Sequence, residues 1–259
     1  MTYETIRVEV VAGVATITLN RPEKLNAFSL QMTREFNHLW RNLKDDAEVR
    51  CIVLQAEGRG FCSGVDIHDG GFLREPIVWD RRDPGEDLSP KQNGVWKPLI
   101  VAVHGICAGG AFYWLNDAEI CICAEDAQFF DPHVTFGRTA VLEPIGLLGR
   151  VGLGEILRMT LLGNDERISA ATALRIGLVS EVTTAEALRG RAQYLASRIA
   201  EKPPTAVQGS LRAIYAALDM PRSVALSHGI YRAMLGNPDG MAEHQAAAPP
   251  AARSGYDVR

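Results

Sequence analysis

No run of about 18 apolar residues occurs in this chain, so the sequence offers no candidate transmembrane helix. Its first residues, Met1-Thr2-Tyr3-Glu4-Thr5, carry neither a basic n-region nor an apolar h-region, and no secretory leader is expected. Cysteine is sparse: five residues, at 51, 62, 107, 121 and 123, without a C-x-x-C spacing. An odd, scattered set reads as reduced thiols rather than a disulfide framework, so a cytoplasmic location is expected. Cys121 and Cys123 would share one face of a strand, but no histidine or second cysteine pair completes a four-ligand set, and no metal is expected. An excess of basic charge is missing too. Lys and Arg number 27 against 31 Asp and Glu, a formal net charge of −4. No basic cluster interleaved with aromatics is visible, which argues against a nucleic-acid partner.

What is present is a chain of 259 residues, 47% hydrophobic and 22% charged, enough for one large domain with or without a small appendage. Val8–Val11 and Ala15–Leu19 alternate as strands around a turn at Gly13. Ser29 can cap a helix bearing Leu30, Phe36, Leu39, Trp40 and Leu43. Short apolar runs at Cys51–Gln55, Leu99–Val103 and Ile120–Ala124 read as buried strands. A helix with a glycine-lined start is expected over Ala108–Leu115, and another over Ser169–Gly177, followed by a strand over Leu178–Val182. From Ala185 the pattern is helical, with breaks expected at Pro203-Pro204, Pro221 and Pro238, and a loose tail from Ala246. The Gly-, Pro-, Asp- and Arg-rich stretch between Asp69 and Gly94 reads as an irregular insertion, whose Arg74, Arg81 and Arg82 could meet a substrate carboxylate or simply be solvated. Strands alternating with helices, then a helical end, give an α/β core over 1–195 and a helical region over 196–259.

Five segments, in order, resemble the crotonase superfamily, the enoyl-CoA hydratase/isomerase group. They are Asn20-Arg21-Pro22 with Leu25-Asn26-Ala27; Phe61 to Ile67; Lys97 to Gly105; Ala108-Gly109-Gly110; and the unit from Ala170 to Val182. The resemblance implies a spiral of β-β-α repeats whose C-terminal helices mediate trimers, often paired into hexamers. It implies an acyl-CoA thioester as substrate, with coenzyme A arriving as part of that substrate and no permanently bound cofactor. It also implies that the backbone amides of Val65 and Gly110 hold the thioester oxygen, with Gly64 and Gly109 allowing close approach. Arg21, Lys24, Ala27, Ser63, Asp66 and Ile67 fall where the family borders the coenzyme. Lys24 and Arg21 read equally well as a solvated basic loop, and Asp66 as an N-cap.

The chain departs from the hydratase pattern at both glutamate positions, where Tyr113 and His133 stand instead. Hydration needs groups that activate water and protonate the α-carbon, and a tyrosine is a poor base at neutral pH. His133 could act as a general base, and Glu143 falls close to where the superfamily's β-diketone hydrolases place a carboxylate partner for histidine. The bland alternatives are a hydrogen-bonded pocket wall for His133 and Tyr113 and a salt-bridge residue for Glu143. Asp131 and His68 are weaker candidates. Diverged acyl-CoA chemistry is the leading reading, beside C–C hydrolysis by a His133–Glu143 dyad and non-catalytic acyl-CoA binding. Met241-Ala242-Glu243-His244-Gln245 replaces the acidic-aromatic-basic pattern of the family's last helix, which puts a neighbour-subunit contact with coenzyme A in question.

Overall fold

The computed structural model describes residues 2–69 and 83–247. Arg74, Arg81, Arg82 and the tail beyond 247 lie outside the described residues. Strands β1 (Ile6–Val11) and β2 (Val14–Leu19) form the expected antiparallel hairpin, in register Ile6↔Leu19 to Val11↔Val14. Helix α1 (Leu30–Asp45) follows, its N-terminus capped by Ser29, whose side chain accepts from the Met32 N–H at 3.2 Å. It buries Phe36, Leu39, Trp40 and Leu43 as expected from the sequence, with Met32 added to the stripe and Leu30 only half-buried.

Strand β3 (Cys51–Ala56) pairs parallel with β2. Each later turn places one strand in a large sheet and a short one in a small sheet. Strand β4 (Leu99–Val103) leads into β5 (Ile106–Ala108); after a 3-10 turn over Gly109–Ala111 comes α2 (Phe112–Asp117). Strand β6 (Ile120–Ala124) leads into β7 (Gln128–Phe130). Helices α3 (Leu142–Gly146) and α4 (Leu153–Leu162), strand β8 (Ile168–Ser169), helix α5 (Ala170–Arg175) and strand β9 (Glu181–Thr183) complete the winding. The large sheet runs β1-β2-β3-β4-β6-β9 and the small one β5-β7-β8. This is the β-β-α spiral that the resemblance implies.

Two faces of the large sheet are covered differently. On one, Phe36, Trp40, Phe61, Phe112, Trp114 and Phe129 pack with Ile17, Ile52, Leu54 and Val101. On the other, Val14, Val53, Ile100 and Ile122 meet Leu188, Ala192, Ala196 and Ala200 of helix α6 (Ala185–Ala200). Small residues at four-residue spacing let this helix lie close to the sheet. The chain divides into two compact units, one ending at Ala200 and one beginning at Glu201. The second holds α7 (Pro204–Leu218) and α8 (Arg222–Ala246).

Three expectations need correction. The helix predicted from Ala108 begins only at Phe112, because Ala108 pairs in β5 and the glycines form a tighter turn. The strand predicted over Leu178–Val182 is paired only from Glu181, while Leu178 and Val179 are buried in the preceding turn. Pro238 does not break α8 but lies inside it. Proline there removes one N–H, and the carbonyl of exposed Met234 that it would have served can be hydrated instead. Among the described residues no helix is long and apolar enough to cross a membrane, and no group of three or more His, Cys, Asp or Glu side chains is placed to hold a metal ion.

Candidate active site

The loop after β3 is fixed by its own backbone bonds. Buried Asn26 donates through Nδ2 to the carbonyls of Glu57 (2.8 Å) and Gly60 (2.9 Å). The Phe61 N–H donates to His104, Cys62 to Ile106, Ser63 to Leu25 and Asp66 to Phe28, at 2.8–3.0 Å. In return the Ala108 and Phe28 amides donate to Cys62 and Gly64, both at 2.9 Å. In this run the Val65 N–H has no acceptor among the described residues. The Gly110 N–H has none either, as expected for an amide in the first turn of a helix.

These two donors are neighbours. Gly64 sits at φ +94°, and a Cβ there would lie 3.0 Å from the Ala108 carbonyl oxygen and 3.7 Å from the Gly110 nitrogen. Gly110 is pressed against Phe28, whose ring atoms would be 2.4 and 2.5 Å from a Cβ. Backbone approaches this close need glycine at both positions. Two N–H groups at adjacent loops, one at a helix start, are donors of the kind that can hold negative charge on an oxygen.

Ionisable side chains stand beside these amides. His133 opens a 3-10 turn after Pro132, and its Cε1 would be 3.9 Å from a Cβ on Gly109. Its Nδ1 lies 2.5 Å from Oδ1 of Asp131, which also accepts the His133 backbone N–H at 3.0 Å. Its Nε2 lies 3.7 Å from Oε1 of Glu143, beyond a direct hydrogen bond. The Asp131 bond raises the imidazole above its ordinary value; burial opposes the rise and Glu143 adds to it. Glu143, buried in α3, is raised above the usual carboxylate range by burial, against the pull of His133. Its carbonyl accepts from Asn116 at 3.1 Å, which ties α3 to α2.

Tyr113 is 8% exposed, with the carboxylates of Glu143, Asp83 and Glu86 around its hydroxyl. The ring abuts Gly85, where a Cβ would fall 2.5 Å from Cε2. Burial and the carboxylates of Glu143, Asp83 and Glu86 push its phenol far above its ordinary value, so it is no base at neutral pH. It stands as a neutral phenol beside the site.

A cavity of about 460 Å³ adjoins this centre. Lys24, Ala27, Ser63, Val65, Asp66 and Ile67 form one side, and Phe130, Pro132, Phe136, Asn164 and Arg167 line it too. Thus six of the residues singled out from the sequence meet in one place. His133, Tyr113 and Glu143 are not among the lining residues; the cavity reaches the His133 turn at Pro132. Arg21 is also absent. Its guanidinium donates to the Ala27 carbonyl and, at 3.0 Å, to Asp66, so it braces the loops rather than facing the cavity. Burial works to raise Asp66, but the Arg21 bond wins and holds its carboxyl below the usual range. His68, a weak candidate from sequence, does line the cavity.

Sequence reasoning ranked Asp131 below Glu143, yet Asp131 is the carboxylate bonded to the imidazole. The signal was available: Asp-Pro-His places an Asp two residues before an N–H, the spacing of an Asx-turn. Asp83, Asn164 and Arg167 were missed; they lie on loops whose path no periodicity reports.

The family model for enoyl-CoA hydratase/isomerase matches residues 9–232. The chain is 32% identical over 226 residues to an (E)-benzylidenesuccinyl-CoA hydratase of Thauera aromatica, covering 87% of this chain and 86% of that one. It is 32% identical over 215 residues to a 1,2-epoxyphenylacetyl-CoA isomerase of Escherichia coli K12, covering 77% and 78%. A crystal structure of an enoyl-CoA hydratase/isomerase from Mycobacterium paratuberculosis superposes with TM-score 0.82 at 34% identity, covering 89% and 90%. With its spiral of paired strands and its glycine-backed amides, the chain is an enzyme of the enoyl-CoA hydratase/isomerase family, within the crotonase superfamily.

Proposed function

We propose that the enzyme acts on an acyl-CoA thioester through an enolate, holding the thioester oxygen at the Val65 and Gly110 amides while His133 moves the α-proton. The observation that carries this reading is the adjacency of two unengaged N–H groups, with the His133 ring against Gly109 on the same turn. Removing a proton from the α-carbon places charge on the thioester oxygen. Two preorganised amides stabilise that charge, each contributing about 3–4 kcal/mol. The proton goes to Nε2 of His133, because Nδ1 is committed to Asp131. The cavity between Lys24 and Arg167 is the place for the coenzyme portion, with Lys24 the exposed cation on the amide side.

Tyr113 and His133 occupy the positions at which hydratases of the family carry glutamates, so ordinary hydration of a simple enoyl ester is expected to be slow. The names of the relatives span hydration and isomerisation, and the shared requirement is the stabilised oxygen. A second reading, hydrolytic cleavage of a C–C bond in a β-keto ester, draws support from the approach of Glu143 to Nε2. Mixing the protein with crotonyl-CoA and following loss of the enoyl absorbance tests the first point. Exchange of the α-protons of butyryl-CoA in D2O tests the enolate itself. Exchange that disappears in His133→Ala supports the reading; exchange that survives there at full rate sinks it. Homotrimers or hexamers, proposed from the family alone, are tested by sedimentation.

A further inference from the structure

The carboxylate that governs His133 is not the one that the sequence suggested. Asp131 is fully buried, and its side-chain hydrogen bonds among the described residues are with His133: Oδ1 accepts from the backbone N–H and pairs with the ring Nδ1, while Oδ2 is buried without a hydrogen-bond partner among them. An ionised carboxylate accepts hydrogen bonds and cannot donate them, so opposite an Asp131 carboxylate the facing ring nitrogen carries the proton. A charge buried in this way needs its partner, which makes the arrangement hard to reverse. The neutral imidazole is thereby confined to the tautomer whose free lone pair is on Nε2. That nitrogen points to the side where Glu143 lies, 3.7 Å away.

We propose that Asp131 is a positioning residue for His133, holding the imidazole as the Nδ1–H tautomer so that Nε2 is the atom that exchanges a proton with the substrate. Glu143 is then a neighbour of the reacting atom and not the orienter of the ring. The proposal rests on the reading of His133 as the proton-moving group, but its first test does not depend on that reading. The groups facing the imidazole are Asp131 and Arg138 on its own segment and Glu143 from α3. Beyond Glu143 lie Tyr113 of α2 and Asp83 of the segment before the Pro84–Leu88 turn. Arg138 opposes the two carboxylates, so removing Asp131 leaves Glu143 as the acidic influence on the ring.

The first experiment is nitrogen-15 NMR of the histidine rings in the full-length protein and in Asp131→Asn, with His133 assigned by its loss in His133→Gln. Expected for the wild type are a neutral His133 protonated at Nδ1 and titration above the ordinary histidine range. Asp131→Asn should lower that midpoint and mix the two tautomers. An unchanged tautomer and midpoint in Asp131→Asn overturns the proposal. The second experiment is butyryl-CoA α-proton exchange against pH. Asp131→Asn should slow exchange on the order of 10²–10⁴-fold, as misoriented histidine bases do. Its rising limb, where the neutral imidazole forms, should move to lower pH, and Asp131→Glu should recover part of the rate. If His133→Ala keeps full exchange, the enolate reading is lost, whereas the NMR result still decides what Asp131 does to the ring. If His133→Ala abolishes exchange and Asp131→Asn leaves both rate and pH profile unmoved, the positioning role alone is wrong.

Discussion

The two walls of the candidate site are built from different materials. The wall formed by Gly64, Val65, Gly109 and Gly110 presents backbone amides, locked by packing against Phe28 and by a chain of main-chain hydrogen bonds. The wall formed by Asp131, His133, Glu143 and Tyr113 presents ionisable side chains whose properties come from burial and from one another. A backbone donor changes only if the fold changes, whereas a side-chain donor changes with one substitution. One scaffold can therefore keep its means of stabilising an oxygen while the proton chemistry beside it varies.

The comparison breaks most visibly at His133. Replacing it with alanine should cost on the order of 10²–10⁴-fold in α-proton exchange, the usual contribution of a positioned general base. Binding of butyryl-CoA, measured by calorimetry, should hardly change, since His133 is not among the residues lining the cavity. In the wild type, exchange should rise with pH as the imidazole loses its proton. Asp131 holds that midpoint above the ordinary histidine value, so the plateau comes at higher pH than for a solvated histidine.

Gly110→Ala attacks the other wall. The new methyl group would overlap the Phe28 ring, at 2.4 and 2.5 Å, so ring or turn must move. Displacement of one preorganised donor should lower exchange by up to about 10²–10³-fold, with overpacking costing about 1–3 kcal/mol in a thermal melt. The pH profile should keep its shape, because the one titratable side chain that the new methyl would touch, Tyr113, stays neutral across the range. A shifted profile would show that the two walls are not separable.

A smaller effect is expected at the brace behind the amide wall. Arg21→Met removes the donors to Ala27 and to buried Asp66, leaving a carboxylate without its cation. Unsatisfied groups of this kind cost about 1–3 kcal/mol. Affinity for the coenzyme ester should fall with stability, since Ala27 and Asp66 both line the cavity. Equal stability with weaker binding would instead mean that Arg21 touches the ligand.

How much of this was legible in the sequence follows the same division. The hairpin, the Ser29 cap and the apolar stripe of α1 are local patterns, and they read correctly. The glycines at 64, 109 and 110 stood out in the sequence, and the fold has a use for each: a positive φ at Gly64 and Gly109 and no room for a Cβ at Gly110. The second sheet was not visible, because β5, β7 and β8 span two or three residues each, too few for a period to show. Helices α3 and α4 escaped for a related reason: they leave Leu142, Ile145, Leu157 and Leu161 exposed, so no clean amphipathic stripe marks them. The partner of His133 escaped because two carboxylates were available and only the folded loop says which one meets the ring.

The smallest prediction compares two buried glutamates. Glu35 in α1 accepts from the Glu4 and Thr5 amides, from the Thr5 hydroxyl and from Gln31, at 2.6–2.9 Å. Burial works to raise it, but these four donors prevail and hold it below the usual carboxylate range. Glu143 has no such set and is raised by burial. The linkage signs are opposite. A depressed carboxylate stabilises the fold above its unfolded value and loses that contribution as pH falls through its folded value. A raised one opposes folding once pH exceeds its unfolded value, because the charged form is disfavoured in the native state. Glu35→Gln should therefore lower stability at neutral pH and flatten the acid limb, by at most about 1.4 kcal/mol per pH unit for one group. Glu143→Gln should leave neutral-pH stability equal or higher while lowering the rate of exchange. Urea unfolding at several pH values separates the two. If Glu143→Gln destabilises as Glu35→Gln does, Glu143 is held for the fold and the division between a structural and a chemical carboxylate fails.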